Sequence, residues 1–256
     1  MYRLLRFCAT FTLLAVLMSF SISALASDTF SWYCKRNKEH LQPDIDTEMR
    51  FIEELDGYYV DKKYADSNEK VIYLTFDAGY ENGNIEKILN TLKEENVKGS
   101  FFILENLLTK NPDLVCRMVE EGNLVCNHTS SHKDTSTMSR ENLKKELESL
   151  ERLFKEKTGR EMLKYFRPPE GKFSHDSMRN AFSLGYKTVF WSFAYADWDN
   201  GNQMAPEKAI EKIMSNIHNG AIILLHPTSA TNAEILPEVI KQLKTQGYTF
   251  KTIDNL

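Results

Sequence analysis

The chain reads as an α/β protein built from parallel strand–helix units, arranged either as a barrel or as a doubly wound sheet. Three observations lead there. From Lys70 onward, short β-branched or aromatic runs alternate with longer amphipathic segments. Gly122, Gly159, Gly185, Gly220 and Gly247 fall where the amphipathic segments stop. A chain of 256 residues with 42% apolar and 11% aromatic residues also has enough material for one substantial core. In both architectures the chemistry gathers at the C-terminal ends of the strands, so each strand end is a place to look.

Residues 1–26 differ from the rest. Arg3 and Arg6 precede an almost wholly apolar run over 7–20, and Ala24-Leu25-Ala26 closes the segment. This is the pattern of a secretory signal peptide cut after Ala26, since the run falls short of the roughly twenty residues that cross a bilayer. Loss of Arg3 and Arg6 takes the net charge from −4 to −6. Export and an extracytoplasmic place of work are expected. Cys8 leaves with the signal, and Cys34, Cys116 and Cys126 are odd in number and too few for a disulfide scaffold. Residues 27–67 scatter aromatics among charges without a sustained period, and are expected to form an N-terminal extension packed on a main domain of residues 68–256.

Within that domain the strand pattern falls at 71–76, 100–104, 124–127, 165–167, 188–192, 221–225 and 248–252. Helical patterns fall between them at 84–96, 112–121, 139–158, 176–184, 206–219 and 233–246. Ser139 suits a helix N-cap, and Pro112 and Pro206 suit first-turn positions. The charge-dense stretch 140–157 reads as the solvated face of a helix with i,i+4 pairs. His40, His175 and His218 read as surface imidazoles.

The strand ends carry the polar groups. The first ends in Thr75-Phe76-Asp77-Ala78-Gly79, and the third in Asn127-His128-Thr129-Ser130-Ser131-His132. The fourth runs into Phe166-Arg167-Pro168-Pro169-Glu170-Gly171, the fifth leads to Tyr195-Ala196-Asp197-Trp198, and the sixth ends in Leu224-Leu225-His226. Each has an ordinary structural use when taken alone: turn residue, chance imidazole pair, rigid turn, core histidine. Together they supply an inventory for metal-assisted amide hydrolysis. His128 and His132 can bring two nitrogens to one Zn²⁺. Asp77 can take a proton from water with Arg167 keeping it ionised, and His226 can protonate the departing nitrogen with Asp197 stabilising its imidazolium.

These motifs, in this order and spacing, resemble the five motifs of the polysaccharide deacetylases, the NodB-homology family, over about residues 68–254. The resemblance implies a distorted (β/α)₇ barrel and metal-dependent removal of acetyl groups from sugars. It makes Asp77 the base, His128 and His132 the metal ligands, Arg167 the partner of the base, Asp197 the tuner of the acid and His226 the acid. It also assigns the backbone N–H of Glu170 to the oxyanion, a donor worth on the order of 3 kcal/mol in related acyl chemistry.

One position departs from the family pattern. The family carries Asp-Asp in the first motif, the second being a metal ligand, and here that place is Ala78. Loss of a ligand is expected to weaken metal binding by at least about 10–100-fold, roughly 1.4–2.8 kcal/mol. A divalent metal, Zn²⁺, that is weakly held is therefore expected, with Asp77, Glu81 or Cys126 available as substitute donors. The longer runs 75–83, 166–173 and 191–198 are similar to the sporulation branch, the delta-lactam-biosynthetic de-N-acetylases. That likeness implies deacetylation of N-acetylmuramic acid in peptidoglycan on the way to muramic δ-lactam in the spore cortex. Deacetylation of N-acetylglucosamine in peptidoglycan or chitin, and a glycan-binding barrel without turnover, are the alternatives. Tyr80, Trp191, Tyr195 and Trp198 are candidates for stacking on sugar rings. With 32 basic against 36 acidic residues there is no footprint for nucleic acid, and no phosphate-cradling glycine loop supports a nucleotide. A monomer acting on glycan strands is expected.

Overall fold

The computed structural model describes residues 29–36 and 39–256. The expected signal segment and its cleavage point lie outside them. The N-terminal part holds β1 (Thr29–Ser31), α1 (Phe51–Glu54) and β2 (Gly57–Tyr58). Then follow β3 (Lys70–Ala78), α2 (Asn84–Glu94), β4 (Ser100–Ile103), α3 (Glu105–Lys110), α4 (Pro112–Glu120), β5 (Leu124–Asn127), α5 (Arg140–Thr158) and β6 (Tyr165–Phe166). The chain closes with β7 (Lys172–Ser174), α6 (His175–Ser183), β8 (Lys187–Val189), α7 (Pro206–Met214), β9 (Ala221–Leu225), α8 (Ala230–Thr245) and β10 (Tyr248–Phe250). The cap at Ser139 forms as its sequence dictates: its hydroxyl accepts from the Asn142 N–H, and α5 ends at Gly159 with φ 69°. No helix among the described residues is long and apolar enough to cross a membrane.

Parallel pairing runs β9–β3–β4–β5–β6–β8–β2. The ring closes twice: Val60, just after β2, bridges Ala221 at the start of β9, and Phe193, beyond β8, bridges Ile223. The result is a distorted (β/α)₇ barrel. One ring strand, β2, comes from the N-terminal extension, where no strand was expected, and the expected seventh strand, 248–252, takes another place. Ile72 pairs with both β9 and β10, and Thr75 and Phe76 pair with both β9 and β4. A strand has two edges, so β10 shares one edge of β3 with β4, end to end.

The two faces of β3 are separated by its period of two. Ile72, Leu74, Phe76 and Ala78 face the layer between sheet and helices, among Leu89, Leu92, Leu236 and Ile240. Val71 and Tyr73 face the barrel interior with Phe102, Cys126, Ile222 and Ile253 from the C-terminal tail. Each fully buried side chain of this kind contributes about 1.5–3 kcal/mol of transfer free energy. The same alternation aims Thr75 and Asp77 inward and turns Ala78 away from the barrel mouth.

Candidate active site

Asp77 stands at the end of β3 and Arg167 directly after β6, whose Arg167 N–H donates to Asn127 C=O at 3.0 Å. The Arg167 guanidinium is fully buried. Its Nη1 donates to Asp77 Oδ1 at 2.7 Å, Nη2 to Thr75 Oγ1 at 2.9 Å and to Phe190 C=O at 3.2 Å, and Nε to Val189 C=O at 3.0 Å. It also lies over the Phe102 ring, 4.1 Å from the centroid. Burial by itself would raise the Asp77 carboxyl, but Arg167, His128 and His226 outweigh it and hold it below the ordinary carboxylate value. Asp77 is therefore a largely buried anion at the cleft wall, locked by one oxygen and presenting the other.

His128 follows β5. Its Nδ1 donates to Arg167 C=O at 2.8 Å, which fixes the tautomer, because a carbonyl can only accept. Burial pushes its pKa down to about 4, so the ring is neutral near pH 7 and Nε2 carries a lone pair. That nitrogen lies 3.6 Å from Asp77 Oδ2. His132 is one turn of loop away, edge-on to His128 with centroids 5.0 Å apart. Its φ is 57°, and its N–H donates to Thr129 Oγ1 at 3.0 Å. The loop is tied to α5 by Glu146, whose carboxylate accepts from Ser131 N–H at 2.9 Å and Ser131 Oγ at 2.8 Å. The stretch 140–157 thus supplies an anchor for the histidine loop as well as a solvated face.

Asp197 and His226 form the second pair. Asp197 is buried and accepts from His226 Nδ1 at 2.7 Å, from the His226 N–H at 2.8 Å and from Asn232 Nδ2 at 2.6 Å. Burial lowers the His226 pKa, yet the hydrogen bond to and charge of Asp197 overcome it, and the net shift is upward from the ordinary value. Asn232 also donates to His226 C=O at 3.0 Å and accepts from the Tyr195 hydroxyl. Its amide is thereby fixed, and with it the carboxylate that orients the imidazole.

Both pairs open on one cleft of about 830 Å³. Asp77, His128, His132, Glu170 and His226 line it, as do Tyr80, Trp191, Tyr195 and Trp198. Arg167 lies beneath. Trp198 (62% exposed) and Tyr80 (46%) stand on the rim, with Asn200 Nδ2 donating to the Tyr80 hydroxyl at 2.8 Å. Tyr195 is buried in the core with its hydroxyl on Asn232, which makes it a support for the Asp197–His226 pair. Trp32, from the extension, also lines the cleft. Of the histidines set aside, His218 is 3% exposed, so it is a buried imidazole and not a surface one.

A family model described as polysaccharide deacetylase matches residues 64–189. Over 234 residues the chain is 40% identical to the peptidoglycan-N-acetylmuramic acid deacetylase PdaA of Bacillus subtilis, covering 91% of this chain and 88% of PdaA. The chain belongs to the polysaccharide deacetylase family. The solved structure of B. subtilis PdaA, a family 4 carbohydrate esterase, matches with a TM-score of 0.84 at 40% identity, covering 90% of this chain and 97% of that one. A peptidoglycan-N-acetylglucosamine deacetylase of Bacillus cereus is 34% identical over 199 residues, 74% of this chain and 89% of that protein. A CE4-family pseudoenzyme of Bacillus anthracis matches with a TM-score of 0.70 at 28% identity, covering 78% of this chain and 68% of the other.

Deacetylases of this family are in general metal-dependent. The residues here fit a cation in one respect: His128 Nε2 and Asp77 Oδ2 are two acceptors facing one another at 3.6 Å with no proton between them. They also show a gap. Among the described residues no group of three or more His, Cys, Asp or Glu side chains is arranged to hold an ion. Ala78 is buried in the outer apolar layer and offers no donor. Two of the substitutes expected from the sequence are committed elsewhere. The Glu81 carboxylate accepts from the N–H groups of Gly83 and Ile85 at the start of α2. Cys126 is sealed in the barrel interior, where burial pushes its thiol well above the ordinary range. Of the three, Asp77 alone turns an oxygen toward the pair, 3.6 Å from His128 Nε2.

Proposed function

We propose that the protein hydrolyses the N-acetyl group of N-acetylmuramic acid in peptidoglycan, outside the cytoplasm, giving the amine from which muramic δ-lactam forms. The observation that carries this reading is one cleft holding a carboxylate kept ionised by Arg167 and a histidine whose proton is retained by Asp197. Amide hydrolysis needs that combination, because the same step must deprotonate water and protonate a poor leaving group. The 40% identity to PdaA over 91% of the chain supports the muramic residue as substrate.

In this mechanism Asp77 Oδ2 takes the proton of the attacking water, while Oδ1 stays on Arg167. The Glu170 N–H donates to the developing oxyanion. His226 gives its Nε2 proton to the sugar nitrogen as the C–N bond breaks, with Nδ1–H remaining on Asp197; acetate and the free amine leave. His128 and His132 would hold a divalent cation, Zn²⁺ in this reading, and the chemistry it supplies is Lewis-acid polarisation of the acyl carbonyl. Trp191, Tyr80 and Trp198 offer apolar faces to the sugar rings.

Mass spectrometry of glycan incubated with purified protein, with and without peptide stems and added Zn²⁺, tests the assignment. Acetyl loss on muramic residues is expected. Glucosamine products would move the protein to the N-acetylglucosamine deacetylases, and no acetyl loss on any glycan would leave only a binding barrel.

Two further outcomes follow from the geometry. The His226 pKa is raised, so its imidazolium persists above the ordinary imidazole range and disappears as pH rises through that raised value. The alkaline limb of the kcat–pH profile is expected there, and Asp197→Asn is expected to move it to lower pH; an unmoved limb would remove Asp197 from the mechanism. Calorimetric titration with Zn²⁺ is expected to show weak binding, and Glu146→Ala to weaken it by about 10–100-fold further by freeing the His132 loop. Tight stoichiometric zinc would contradict the role given to Ala78.

A further inference from the structure

Residues 29–36 lie before the stretch matched by the family model, yet they build part of the cleft. β1 pairs antiparallel with β7, Phe30 opposite Phe173. Just beyond β1, the Trp32 N–H donates to Gly171 C=O at 2.8 Å, and its indole Nε1–H donates to Trp191 C=O at 2.8 Å. The indole stacks on Phe190 with centroids 4.7 Å apart, is 7% exposed, and lines the cleft together with Glu170 and Trp191. One residue therefore ties the loop after β6 to the segment after β8.

That loop needs a tie. Glu170 has φ 57° and ψ 10°, a left-handed conformation that costs a non-glycine residue energy and persists only where the surroundings over-determine it. Gly171 follows at φ 65°, and a Cβ there would stand 2.9 Å from Trp191 Cη2 and 3.0 Å from Trp32 Cβ. The two tryptophans thus fill the space that a side chain at 171 would need.

We propose that Trp32 is a positioning residue: it holds the Glu170 peptide in its left-handed conformation and so keeps the Glu170 N–H aimed at the acyl oxygen. The N-terminal segment is then a working part of the catalytic cleft. This inference rests on the deacetylase reading for the target of that N–H, but the bracing of the loop is independent of it. An oxyanion donor strengthens its bond only as charge develops, so its displacement lowers kcat and spares KM.

The test compares wild type, Trp32→Ala and Trp32→Phe in two measurements: acetate release from peptide-free glycan, and amide hydrogen exchange of the segment 168–174. Trp32→Ala is expected to lower kcat by at least about tenfold with KM within about twofold, and to speed exchange at Glu170 and Gly171. Trp32→Phe keeps an aromatic ring against Phe190 and the backbone bond to Gly171 but lacks the indole donor, and is expected to fall between. Unchanged kcat or unchanged exchange in Trp32→Ala overturns the proposal. Should Trp32→Ala fail to fold, Trp32→Phe decides, and wild-type values in both measurements overturn it. No acetate release by wild type overturns the deacetylase reading and the oxyanion role with it, while the exchange result still decides whether Trp32 braces the loop.

Discussion

Asp77→Asn is expected to lower kcat on acetylated glycan by about 10²–10⁴-fold, the usual contribution of a positioned general base. Asparagine keeps the shape and can still accept from Arg167 Nη1, so substrate binding is expected to change little. It cannot take a proton. The substitution also removes the anion beside a fully buried guanidinium, and breaking such a pair costs up to about 3–5 kcal/mol. The remaining bonds from Arg167 to Thr75, Val189 and Phe190 soften that loss. Steady-state kinetics and a thermal melt on the same preparation separate the two effects: a lower melting midpoint with a folded protein at the assay temperature, and activity lost far beyond any unfolded fraction. Intact activity would end the general-base account.

His226→Ala is expected to lower kcat on N-acetyl glycan by about 10²–10⁴-fold and to leave the cleavage of an aryl acetate within a few-fold of wild type. The contrast follows from the leaving groups. A sugar amine departs only after protonation, whereas a phenolate departs without it, so only the amide needs the acid. Asp77→Asn, by contrast, is expected to slow both substrates, because water must be deprotonated in each. Equal losses on amide and aryl ester in His226→Ala would show that the imidazole does something other than protonate the nitrogen.

The charged and imidazole groups at the strand ends were legible because each sits in, or just after, a short apolar run, and parallel β/α units gather such positions at one end. Asp77, His128, Arg167 and His226 all follow this rule, and Asp77 and Arg167 meet although 90 positions separate them in the chain. The supports were not legible. Asn232 reaches Asp197 from the first turn of α8 and Glu146 reaches Ser131 from the middle of α5, and a polar residue on a helix gives no sign of which neighbour it will meet. Trp32 lies 159 positions from its indole acceptor, in a segment with no period of its own.

The barrel shows the same division. The two-residue β6 was visible because it falls between helical patterns in the alternating part of the chain, whereas the equally short β2, in a stretch without a period, was not, and neither was the six-residue α3 between β4 and Pro112. The displacement of β10 to the edge shared with β4 is a matter of register along β3, which depends on tertiary packing and on nothing within 248–252 itself. Cys126 and Glu81, plausible donors by composition, are disposed of by direction: one points into the barrel, the other onto the start of the following helix, α2.

Hydrolysis in ¹⁸O-enriched water tests the central claim most directly. Peptide-free glycan is incubated with the purified protein, the released acetate is analysed by mass spectrometry, and the muramic residues are analysed beside it. The account predicts one labelled oxygen per acetate, an equal amount of muramic amine or lactam, and loss of both products in Asp77→Asn. Unlabelled acetate, or acetyl groups that stay on every sugar of the glycan, would contradict it.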